Sequence, residues 1–91
     1  MEPRAELYSM RADFKASQGD TEDAIADYTQ AIELNRSYYP AYMGRAIALG
    51  VMKQNDRALA DLEQVRDNTR DPALKSDAAK AIERIRKSGE N

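Results

Sequence analysis

Displaced by 34 residues, the chain aligns with itself without a gap. Tyr8 falls on Tyr42, Arg11 on Arg45, Ala12 on Ala46, Ala24 on Ala58, Ala26 on Ala60, Asp27 on Asp61, Gln30 on Gln64 and Arg36 on Arg70. Other apolar positions pair conservatively: Ile25 with Leu59, Tyr28 with Leu62, Ala31 with Val65. A fixed period of this length restricts the chain to units that stack on their neighbours, because one such unit cannot bury its apolar side alone.

Each unit reads as a pair of helices. Turn signals at Gln18-Gly19-Asp20-Thr21, Asn35-Arg36-Ser37, Lys53-Gln54-Asn55-Asp56 and Asn68-Thr69-Arg70-Asp71-Pro72 divide the chain into five periodic stretches. The spacing predicts helices over roughly Pro3 to Ser17, Thr21 to Asn35, Tyr39 to Met52, Asp56 to Asn68, and Pro72 onward with Gly89 as its stop. In the second, Ala24, Ile25, Tyr28, Ala31 and Ile32 occupy one face of a 3.6-residue period. Asp20 or Thr21 is the expected N-cap of the second helix and Asp71 that of the fifth. The fifth helix has no counterpart in the repeat; Leu74, Ala78, Ala81, Ile82 and Ile85 form one apolar stripe and the rest is charged. That is the form of a terminal cap.

The stretch Tyr8…Ala12…Gly19-Asp20…Ala24-Ile25…Tyr28…Ala31-Ile32-Glu33-Leu34-Asn35 resembles a tetratricopeptide repeat. Lys15, Arg36 and the pair Lys53-Gln54 depart from that pattern, where the family carries an aromatic, a proline and Gly-Asp. The resemblance implies an all-α, right-handed α-solenoid: one domain over 1–91, with repeat one at 5–38, repeat two at 39–70 and a capping helix at 71–88. It also implies close helix packing, with Ala12, Ala24, Ala46 and Ala58 receiving Tyr8, Tyr28, Tyr42 and Leu62.

Composition argues against several other functions. Histidine and cysteine are absent, which removes the commonest general base, the commonest metal ligand and the thiol nucleophile. The glycines form no phosphate-binding loop. No catalytic residue, metal ligand or cofactor is therefore expected, and the chain is not expected to be an enzyme. A net charge of −2 gives no general attraction to nucleic acid, and the cluster Lys80, Arg84, Arg86 and Lys87 reads as a solvated helix end. No apolar run is long enough for a membrane span or an export signal. A soluble, cytoplasmic interaction module, adaptor or scaffold is the expectation.

The resemblance places a peptide-binding groove along the first helix of each repeat. Its positions here are Ser9 and Asp13 in repeat one and Met43, Ile47 and Val51 in repeat two. Met43, Ile47 and Val51 lie one turn apart, so they either seat a partner or are covered by the fifth helix. Ser9, Asp13 and Gly44 stand where a carboxylate-clamp member would carry Lys, Asn and Arg, so that mode of binding is not expected. Leu7, Met10 and Phe14 form a second stripe, at positions that pack on a preceding repeat in the family. They suit a neighbouring repeat, a second copy of the chain or a local fold-back. The partner is accordingly a protein or peptide; the alternative is an assembly element working through this edge, and an engineered repeat protein would carry the same pattern.

Overall fold

The computed structural model describes residues 4–89. Five helices follow in order: α1 (Arg4–Ser17), α2 (Thr21–Leu34), α3 (Tyr39–Val51), α4 (Asn55–Asn68) and α5 (Pro72–Gly89). No strand occurs among the described residues. The expected start at Pro3 lies outside them. Asn35 and Met52 close α2 and α3 as C-cap residues, each donating its N–H to a carbonyl four residues back. Gly89 belongs to α5 itself, and the residues beyond it lie outside the described range.

Caps and turns explain these limits. Asp71 caps α5 as expected: its Oδ1 accepts the Ala73 N–H at 2.9 Å and the Leu74 N–H at 3.4 Å. Asp20 is the N-cap residue of α2 as expected, but makes no side-chain cap bond. Its main chain is used instead, the N–H donating to the Lys15 carbonyl at 2.9 Å and the carbonyl accepting from Ala24 at 2.9 Å. Gly19 makes that reversal with φ +84°, and Lys53, 34 residues later, makes the same one with φ +63°. The hydrogen bonds correspond as well. Gly19 N–H reaches the Ala16 carbonyl at 3.0 Å, and Lys53 N–H reaches Gly50 at 3.0 Å.

Consecutive helices pack on one another, and α1 also meets α3. The molecule is 18 Å across its thinnest dimension, room for two helix layers at the usual 8–10 Å spacing. Ala12, Ala24, Ala31, Ala41 and Ala58 are wholly buried between the helices, and Tyr28, Tyr42, Leu49, Leu62 and Val65 fill the space around them. Burying large side chains against small ones draws stability from area and close contact together.

α5 departs from expectation in one respect. Its buried residues Ala78 and Ile82 fall 34 positions after Gly44 and Ala48 of α3. α5 thus follows α4 as α3 follows α2, at the place of a third unit's first helix, with Lys and Glu replacing the apolar residues on its far side.

Candidate functional site

The same ion pair holds both hairpins. Arg11 donates from Nε to Asp27 Oδ2 at 2.7 Å and from Nη2 to Oδ1 at 2.8 Å. Arg45 does the same to Asp61 at 2.8 Å and 2.8 Å. Both aspartates are buried, and a two-pronged guanidinium bond satisfies each carboxylate. Arg11 lies over the Tyr8 ring and Arg45 over the Tyr42 ring, so an aromatic, an arginine and an aspartate recur as a unit. Lys15, at the family's aromatic position, adds a second cation 3.1 Å from Asp27. The Arg11 hydrogen bond holds the Asp27 carboxyl below the usual carboxylate range; burial opposes it and Lys15 adds to it. Repeat two has a different supplement: Arg45 donates to the Thr29 hydroxyl of α2 at 3.1 Å, tying the two repeats together.

The 34-residue shift places Arg on Arg and Asp on Asp, but reading it as alignment alone does not pair them. The signal was the 16-residue separation from arginine to aspartate, present in both units.

Tyr28 forms the joint between repeats. Its ring fills the space where a Cβ on Gly44 would sit, and its hydroxyl donates to the Asp13 carboxylate. Burial pushes the Tyr28 phenol well above its ordinary range, with the Asp13 carboxylate adding to the shift. A glycine in α3 is thus required by a close approach.

The five groove positions separate in space. Ser9 is buried at 5% exposure and is closed to a partner, which corrects its placement in the groove. Met43 is half-buried, whereas Ile47 and Val51 stand 67% and 64% exposed. α5 therefore leaves Ile47 and Val51 open, while Met43 packs partly against the core. Between α3 and α5 lies an open cleft of about 430 Å³, with Met43, Ala46 and Ile47 of α3 on one side and Leu62 of α4 also in its lining. Ala81 and Ile85 line the other side, and Asp77, Lys80 and Arg84 stand at its rim. Ile47 also borders a second hollow of about 350 Å³ between α1 and α3, which contains Asp13 and Val51. The α5 residues of the cleft lay outside the sequence-derived set. Their i, i+4 spacing on a helix in third-unit position was the available signal.

Leu7, Met10 and Phe14 are 58%, 58% and 65% exposed on the side of α1 opposite buried Ala5, Ser9 and Ala12. Among the described residues, no group of acidic, histidine or cysteine side chains is arranged to hold a metal ion, and no helix is long and apolar enough to cross a membrane.

Stacked antiparallel helix pairs, locked by a repeated arginine–aspartate bond and leaving an open cleft, define a helical-repeat protein. The tetratricopeptide repeat profile matches residues 15–83, well over half of the chain, and the protein belongs to that family. No curated protein and no solved structure gives a significant match. Members of the family generally mediate protein–protein interaction.

Proposed function

We propose that the domain is a non-catalytic adaptor that seats an apolar side chain of a peptide or protein segment between α3 and α5. One observation carries this reading: Ile47 remains two-thirds exposed beside an open cleft whose opposite wall is apolar. An exposed isoleucine in a lined cleft gains free energy when a partner removes it from water. At the rim Lys80 and Arg84 outnumber Asp77, which favours a partner with a carboxylate next to its apolar anchor. Asp13 and Val51 in the adjoining hollow extend the same seat toward repeat one.

The test is a peptide selected from a random display library against the folded domain, followed by resonance mapping. Expected shifts concentrate in α3 and α5, and Ile47→Ala weakens the selected peptide by about tenfold. Shifts confined to other helices, or unchanged affinity in both Met43→Ala and Ile47→Ala, reject the cleft.

A further inference from the structure

The outer face of α1 is a second surface, independent of the cleft. At a 34-residue shift, Leu7, Met10 and Phe14 correspond to Ala41, Gly44 and Ala48 of α3. Ala41 and Ala48 are buried, and Gly44 meets the Tyr28 ring. The α1 residues at the same register are large and stand in solvent.

Their size limits what can cover them. Tyr28 already occupies the site of a Cβ on Gly44, so a helix docking on α1 as α2 docks on α3, with an aromatic at that place, would overlap Met10. Continuing the stack with a unit like repeat one is thereby blocked. Head-to-tail association is disfavoured too, because the far side of α5 presents Ser76, Glu83 and Lys87, all exposed and none apolar. A face that finds no complement at the other end of the molecule has a self-complementary partner in a second copy of the chain, related by a two-fold axis.

Charge selects the orientation. Leu7, Met10 and Phe14 take the a, d and a positions of a heptad, which puts Glu6 and Asp13 at g and Arg4 and Arg11 at e. Parallel helices bring each g residue to the partner's e residue five positions on, so Glu6 meets Arg11 of the other copy twice over. Antiparallel helices would set acid beside acid and base beside base. Arg11 remains 58% exposed while bound to Asp27 and is still within reach of a partner.

We infer that two copies of this chain associate through α1, parallel, about a two-fold axis running along the helices. The contact is three residues long on each side, which makes the dimer weak, with Kd of about 10 µM to 1 mM.

Sedimentation equilibrium of the whole chain across that range, at low salt, tests it. The expected result is a rise toward twice the monomer mass. It should vanish in Phe14→Glu and weaken at least threefold in Glu6→Lys. Met10→Glu is the second disrupting variant should Phe14→Glu lose its helical circular dichroism. Because the chain has no cysteine, Leu7→Cys reads orientation directly: parallel helices bring the two sulfurs together and the variant oxidises to a covalent dimer. A monomer at 1 mM, or association that survives both Phe14→Glu and Met10→Glu, overturns the proposal. A dimer in which Leu7→Cys fails to cross-link overturns the parallel arrangement.

Discussion

The two repeats share a skeleton and differ in what they show to a neighbour. Arg11–Asp27 and Arg45–Asp61 have near-identical geometry, and Gly19 and Lys53 make the same left-handed turn with matching main-chain bonds. Yet Leu7, Met10 and Phe14 are exposed where Ala41, Gly44 and Ala48 are covered. Backbone register is thus set by the internal bond of each hairpin, whereas side-chain size at three positions decides whether another helix fits alongside.

The largest expected effect separates the two ion pairs. Arg45→Ala leaves buried Asp61 without its guanidinium and unties Thr29, and should cost about 2–3 kcal/mol in urea unfolding. Arg11→Ala should cost less, since Lys15 still reaches Asp27. Equal losses would show that Lys15 contributes nothing. The pH dependence follows from the lowered Asp27 carboxyl. Its contribution is complete above the unfolded carboxylate value of about 3.9 and is lost as pH falls through the lower folded one. Melting of Arg11→Ala at acidic pH should therefore show a shallower decline than the parent.

Next comes the joint. Gly44→Ala drives a methyl into the Tyr28 ring and should cost about 1–3 kcal/mol. Met10→Ala, at the same register in α1, should change monomer stability by less than about 0.5 kcal/mol. A comparable loss at both would mean that the register relation fails.

The smallest effect is a gain. Lys53 holds φ +63°, a conformation that a side chain disfavours and glycine accepts. Lys53→Gly should raise stability by about 0.5 kcal/mol, read as a higher urea midpoint. A loss would show that the lysine side chain supports the turn.

Much of this was legible in the chain itself. Five helices, their pairing at a 34-residue period, the cap at Asp71 and the burial of Ala12, Ala24, Ala46 and Ala58 all follow from local spacing and side-chain size. Such features depend on residues a few positions apart, where helical geometry dictates who faces whom. The candidate cleft was legible in part: the spacing of Met43 and Ile47 marks its α3 wall, whereas neither the burial of Ser9 nor the α5 wall shows in local spacing.

What only the tertiary structure decided is how helices distant in sequence meet. The pairing of each arginine with an aspartate on the next helix, the fit of Tyr28 against Gly44, and the gap that α5 leaves over Ile47 belong to this class. Periodicity tells which side of a helix is apolar. The distance and angle at which another helix approaches that side come from the summed packing of both, and no single segment carries that sum.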